Sequence, residues 1–178
     1  MGTESGFPRL GRYGAVAFGV NGKAYIGCGY DGNYLKDFYA FNPAANSWTQ
    51  TISIGGTKRQ GATSFVINGI AYVCCGQNNG EYVDDFWKFD PSTESWTQLR
   101  DISDSSDEDY DDDYTITRTN GVAFVIDGAA YLTCGESGTY VATLGNIIRP
   151  PIYGKTWLNS RELPVRRQHL SPLARKDS

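Results

Sequence analysis

The sequence predicts an all-β fold assembled from a repeated four-stranded antiparallel unit, and three observations predict it. First, VNGKAYIGCG at 20–29 returns as INGIAYVCCG at 67–76 and as IDGAAYLTCG at 126–135, at offsets of 47 and 59 residues. Internal repetition of this kind is the signature of a repeat architecture. Second, each copy carries Asn-Gly or Asp-Gly between apolar segments, the strongest short hairpin signal, because both residues tolerate φ > 0. Third, DFYAFNPAANSW at 37–48 matches DFWKFDPSTESW at 85–96.

Each element of the unit follows in order. GAVAFGV at 14–20 is short and almost wholly apolar, as expected of a strand buried on both faces. KAYIGCG is the second strand, DFYAFN the third and SWTQT the fourth. Pro43 and Pro91 fall between strands three and four, where a missing amide proton costs little. With 40% apolar residues, 21 glycines, 12 tyrosines and 4 tryptophans, the composition suits short strands joined by tight turns. No apolar run approaches the roughly 20 residues of a membrane-spanning helix. The N-terminal MGTESGFPRLGRYG lacks the apolar stretch of a signal peptide, and localisation stays open.

A glycine-ended second strand, a following aromatic strand and a Trp after an Asn/Asp-Pro turn, at a period near ~50 residues, resemble kelch repeats. The resemblance extends from Arg12 to about Tyr140. It departs from the usual Gly-Gly ending in one respect, since Cys28-Gly29, Cys75-Gly76 and Cys134-Gly135 stand there. It implies a partial kelch-type β-propeller, with blades of the kind in the galactose-oxidase central domain: two full blades and about half of a third. The expected blades are 12–52, 59–100 and an incomplete 118–140, with an acidic loop insert at 101–114. Together these make a propeller fragment over 1–140.

The remaining segment, 141–178, does not fit. Residues 1–140 hold 9 Lys/Arg and 18 Asp/Glu, whereas 141–178 hold 7 Lys/Arg and 2 Asp/Glu. Shifting the reading frame by one base restores the repeat. Gly145 and Gly154 can then encode Trp, nine residues apart like Trp87 and Trp96. Arg149 can become Pro, and Val165 can become Arg eleven residues past the second Trp, as Arg59 lies eleven past Trp48. Residues from about Val141 onward are therefore read as a poorly ordered, out-of-frame translation of a normal blade. A nucleic-acid-binding tail would show aromatic interleaving, which is absent here.

Candidate chemistry is sparse. Cys28, Cys75 and Cys134 occupy equivalent positions one blade apart, so they do not converge as a disulfide or zinc site requires. They read as small core residues, and Cys74–Cys75 as a vicinal redox pair is a weaker reading. A galactose-oxidase-like copper site needs imidazoles, and the sole histidine, His169, lies in 141–178. The repeated Ser-x-Asp-x-Gly-x-Thr-Trp turns of sialidases are also absent. The insert DISDSSDEDYDDDY lacks the EF-hand pattern, and an acidic interaction loop is preferred to a calcium site. No cofactor and no metal are expected.

Arg12, Arg59 and Arg118 each open a unit just before strand one. In an antiparallel meander the 2–3 and 4–1 connections emerge at the same end. The arginines are therefore expected to share a face with Tyr34, Asn78, Asn79, Tyr82 and Tyr140, the usual place for binding on loops held by a scaffold. The competing reading is that the arginines only hydrogen-bond neighbouring blades. The expected function is a non-enzymatic propeller fragment binding a protein, peptide or glycan through that face. The alternative is a metal-independent sugar-active enzyme of the sialic-acid mutarotase or epimerase type, which needs only an acid/base pair. Nucleic-acid partners and membrane insertion are not expected. Two and a half blades leave strand edges unpaired, which invites self-association.

Overall fold

The computed structural model describes residues 6–99, 101–102, 117–141 and 144–148. The first blade is a meander of β1 (Val16–Val20), β2 (Lys23–Gly27), β3 (Phe38–Asn42) and β4 (Ser47–Thr51), hydrogen-bonded in that order. Asn21 and Gly22 both take positive φ in the β1–β2 turn, as the Asn-Gly signal requires. The second blade repeats this plan with β5 (Thr63–Ile67) and β6 (Ile70–Cys74), then interposes a small hairpin of β7 (Gln77–Asn78) and β8 (Glu81–Tyr82). It closes with β9 (Phe86–Asp90) and β10 (Ser95–Gln98), giving the sheet order β5-β6-β9-β10.

The third blade begins with β11 (Val122–Ile126) and β12 (Ala129–Thr133), followed by a hairpin of β13 (Glu136–Ser137) and β14 (Thr139–Tyr140). A third strand, β15 (Gly145–Ile148), pairs with β12 across a register irregularity at Ala130/Tyr131. This strand lies inside the segment read from the sequence as out of frame. Its Gly145 stands opposite Leu132, the ladder position that Tyr39 holds opposite Ile26 and Trp87 holds opposite Val73. Residues 103–114 of the acidic insert and 149–178 lie outside the described residues, and with them the calcium reading and His169.

Blades stack face to face, as the repeat pattern dictates. Alternate residues of β1 (Val16, Phe18, Val20), with Tyr25 and Phe38, pack against Ala71, Val73, Trp87 and Phe89 of the second blade. Phe18 lies 5.9 Å from Phe89 and Phe38 lies 4.9 Å from Trp96, ring centroid to ring centroid. The same contact recurs one blade on, where Phe65, Ile67 and Phe86 pack against Ala130 and Leu132. Each large apolar side chain buried this way contributes about 1.5–3 kcal/mol relative to exposure.

The Cys-Gly pair ending each second strand has a backbone explanation. Cys28, Cys75 and Cys134 take φ of 55°, 63° and 57°, and the glycines after them 92°, 94° and 91°. A Cβ on Gly29 would meet the Tyr13 carbonyl at 2.9 Å, and one on Gly76 the Gln60 carbonyl at 2.7 Å. The glycine is therefore needed for the close approach of the segment that leads into strand one. Cys28, Cys74 and Cys75 are buried free thiols, as expected for core residues, but Cys134 is exposed. The reason is positional: the burial of Cys28 and Cys75 accompanies backbone bonds from Gly29 to Arg59 and from Gly76 to Arg118, supplied by the following blade.

Among the described residues no helix is long and apolar enough to cross a membrane.

Candidate functional site

The 2–3 and 4–1 connections meet at one end of the blades through a repeated backbone ladder. Tyr13 bridges Tyr30, Gln60 bridges Gln77, and Thr119 bridges Glu136, all antiparallel. A second set of bonds ties blade to blade, from the Gly61 amide to the Gly14 carbonyl and from the Asn120 amide to the Gly61 carbonyl, each 2.8 Å. Gly61 is required there, since a Cβ at that position would strike Thr119 Oγ1.

The three arginines depart from the expectation that they line this face. Arg12 Nη1 donates to Asp37 Oδ1 at 2.6 Å and to the Cys28 carbonyl at 3.0 Å, and its Nη2 donates to Asp37 Oδ2 at 3.2 Å. Arg59 is 0% exposed. It forms a two-pronged pair with Asp85, with Nη2 donating to Oδ2 at 2.6 Å, and its Nε donates to the Thr57 carbonyl at 3.0 Å. Arg118 is also buried and donates to the Cys134 carbonyl at 3.0 Å. The planar guanidinium suits this task, because one side chain can hold a carboxylate and the carbonyl that ends strand two. Asp37, Cys28, Asp85 and Cys134 each lie within the blade of the arginine that holds them, so the arginines fix the loops from beneath. The fork between strands two and three that demands a donor is legible in the sequence as the aspartate before each third strand, Asp37 and Asp85.

The other expected residues are distributed unevenly. Tyr140 is 93% exposed. Tyr34 packs edge-on against Tyr30, with centroids 5.0 Å apart, and Tyr30 lies 5.5 Å from Tyr13. Asn79 is exposed at the tip of the β7–β8 turn, whereas Asn78 is half-buried. The Tyr82 hydroxyl accepts a 2.6 Å bond from the Gly138 amide and so links the second and third hairpins. The structure thus brings Tyr34 together with Tyr13 and Tyr30, and Tyr82 together with the turn beside Tyr140. Tyr13 and Tyr30 were missed from sequence, although Tyr13 directly follows Arg12 in the segment that pairs with the loop.

Two further polar atoms lie buried beneath the ladder. Among the described residues, Gln60 Oε1 and Thr119 Oγ1 are buried side-chain oxygens without a hydrogen-bond partner. They occupy one repeat position, directly after Arg59 and Arg118, on the ladder just described. A buried polar oxygen left unmatched costs about 1–3 kcal/mol.

The cysteines offer little reactivity. Burial pushes the Cys28 thiol up to about 12. The Cys74 and Cys75 thiols share a hydrogen bond, which raises Cys74 and lowers Cys75, and both are fully buried. Among the described residues no group of three His, Cys, Asp or Glu side chains is placed to hold a metal ion.

Repeated four-stranded blades, their face-to-face stacking and the arginine-pinned loops define a kelch-type propeller fragment. The chain belongs to the kelch-repeat family: the family model KLHDC2/KLHL20/DRC7 Kelch-repeats domain matches residues 3–135. Among solved structures, 137 chains match. One of them, "Structure of YjhT", is 28% identical with a TM-score of 0.53 over 72% of this chain. That overlap covers 34% of the YjhT chain, so this sequence spans about a third of that protein's length. No curated protein matches.

Proposed function

We propose that the chain is a non-enzymatic binding module that takes a protein, peptide or glycan on the face formed by its 2–3 and 4–1 loops. The observation that carries this reading is the tyrosine cluster Tyr13, Tyr30 and Tyr34, held on the backbone ladder. Tyrosine offers a large, stiff contact area with a polar tip. Kelch domains generally mediate protein interactions, which favours a protein or peptide ligand over a glycan.

Phosphate-rich ligands suit the face poorly. The guanidiniums of Arg12 and Arg59 are engaged by Asp37 and Asp85, while Glu81 and Glu136 stand exposed. Nucleic-acid binding draws chiefly on free Lys and Arg, and Arg12 and Arg59 are not free in that sense.

Peptide and glycan arrays test the reading. Binding without turnover, lost on Tyr34→Ala and Tyr13→Ala, is the expected result. Anomer exchange of a free sugar, abolished by changing a single loop carboxylate such as Glu136→Gln, would instead establish the metal-independent mutarotase or epimerase alternative.

We also infer that the segment from about Val141 is an out-of-frame translation of a normal third blade. The register of β15 supports this, because Gly145, which a shifted codon can make Trp, takes the ladder position of Trp87. Thr143 precedes Gly145 by two residues, as Asp85 precedes Trp87 and Asp37 precedes Tyr39. Its shifted codon can be GAC, which would supply the aspartate of the repeat. Sequencing the gene decides the point: one uninterrupted frame through this region in independent isolates would remove the inference.

A further inference from the structure

The chain carries four Asn-Gly pairs, Asn21-Gly22, Asn68-Gly69, Asn79-Gly80 and Asn120-Gly121. Each can undergo the same chemistry. The backbone amide nitrogen of the glycine attacks Cγ of the asparagine side chain and loses its proton to solvent. A C–N bond forms there, and the side-chain amide leaves as ammonia. Water then opens the resulting succinimide at either carbonyl, giving aspartate or isoaspartate and one new negative charge. Glycine favours the attack because it has no Cβ to obstruct it. As dipeptides the four pairs are equivalent, but their surroundings are not.

Asn21, Asn68 and Asn79 take φ of 50°, 51° and 51°, and the glycines after them 69°, 77° and 87°. Both central residues of each hairpin turn are therefore left-handed. Closing a ring between the asparagine side chain and the next nitrogen needs dihedral freedom that such a turn withholds. Conversion in the folded chain therefore follows local opening of the hairpin.

The hairpins differ in what resists that opening. Asn21 joins β1 to β2 and Asn68 joins β5 to β6, each hairpin zipped by five residue pairs. Val20 and Ile67, directly before these two turns, are buried. Asn79-Gly80 joins β7 to β8, where only Gln77 with Tyr82 and Asn78 with Glu81 are paired. Asn79, Gly80 and Glu81 are all exposed. The base of this hairpin is anchored, since Gln60 and Gln77 exchange bonds of 2.9 and 3.0 Å and the Val83 amide reaches the Gly76 carbonyl at 2.9 Å. Opening is thus confined to the tip. Asn120-Gly121 is the opposite case. The Asn120 amide donates to the Gly61 carbonyl at 2.8 Å, and the Thr63 hydroxyl donates to the Gly121 carbonyl at 3.0 Å. Gly121 is also hemmed in by Arg118 and Leu132.

We propose that Asn79 is a site of spontaneous deamidation at the loop end of the second blade, converting ahead of the other three pairs. The two products act differently there. Aspartate suits a left-handed turn, as Asp127-Gly128 shows with φ of 50° and 74° in the third blade. It keeps the hairpin and adds a charge two residues from Glu81. Isoaspartate instead adds a methylene to the main chain, which lengthens the turn and breaks the pairing of Gln77 with Tyr82. Because the Tyr82 hydroxyl accepts the Gly138 amide at 2.6 Å, a displaced β8 also loosens the link between the second and third hairpins. Age therefore alters both the charge and the shape of this end of the blades, whatever ligand it takes.

Timed incubation of the folded full chain at mildly alkaline pH, followed by peptide mass mapping, tests this. Asn79 should convert roughly tenfold faster than Asn21 or Asn68, with Asn120 slowest. In concentrated urea, where the hairpins are lost, the four rates should converge. Equal rates in the folded chain, or a lead by any other pair, overturn the proposal. So does an Asn79 that stays intact while the unfolded control converts. Isoaspartyl methyltransferase with S-adenosylmethionine labels isoaspartate alone, and its earliest label should fall in the peptide containing residue 79. Asn79→Gly, which keeps the left-handed turn accessible, should abolish that early label and leave the slower conversion at Asn21 and Asn68. An early label that persists in this variant contradicts the assignment. Amide exchange of the parent chain gives a reading without any variant: Tyr82 should exchange faster than Tyr25, and the reverse order contradicts the opening step.

Discussion

The second and third blades carry nearly the same apolar strand, TSFVI in one and VAFVI in the other, yet one is buried and the other exposed. Nothing in the strands accounts for the difference. β5 is covered because a blade follows it, and β11 is open because no described blade does. The contrast teaches that in a stacked architecture a strand's burial belongs to the interface, and stability is a sum of blade and nearest-neighbour terms. The arginines point the same way: each pins loops of its own blade, so a blade can be internally complete while its outer face is unsatisfied.

Substitutions can break or sharpen this comparison. Asp85→Ala should have the largest effect, because it leaves Arg59 charged, buried and unpaired. We expect a loss of about 3–5 kcal/mol in urea unfolding. Asp37→Ala should cost less, since the Asp37 side chain is the more exposed of the two carboxylates. Phe89→Ala, at the used interface, should cost a similar ~3–5 kcal/mol by leaving a cavity between blades one and two. Phe124→Ala at high dilution should change stability by no more than about 0.5 kcal/mol, the range of ordinary surface changes. Equal losses at Phe89 and Phe124 would show that β11 is covered within the monomer.

A separate effect depends on pH. Cys28 stays protonated to about 12, above its ordinary value of 9.0, because burial disfavours the thiolate. The unfolded chain therefore loses this proton first. The stabilising contribution is complete below pH 9 and falls as pH rises from 9 toward 12. Melting temperatures from pH 8 to 11 should decline, and Cys28→Ala should flatten that decline. Exposed Cys134 should react with a thiol reagent in the folded protein while Cys28 does not, and equal labelling would contradict the burial difference.

Much of this was legible in the sequence because the repeat aligns residues of one role. Asn21-Gly22 and Asp127-Gly128 gave the hairpins through their backbone preferences, and the Cys-Gly pairs gave the ends of the second strands. The loop face was less legible. Arg12, Arg59 and Arg118 stand at the right end of the blade, but spacing along the chain cannot tell an outward guanidinium from one folded under the loop onto Asp37 or Asp85. Gln60 and Thr119 were invisible for a related reason, since an unmatched oxygen is a property of surroundings.

By itself, then, the sequence determined the blade: strand order, turn chemistry, the Arg–Asp spacing and the register that makes the segment after Val141 stand out. These are local or repeat-periodic, and backbone sterics and side-chain alternation suffice to specify them. Tertiary structure alone decided which copies of the pattern are buried, where the arginines point and which faces are left open. Burial and hydrogen-bond satisfaction depend on neighbours brought from some 50 residues away, and two strands as alike as β5 and β11 differ only in having one.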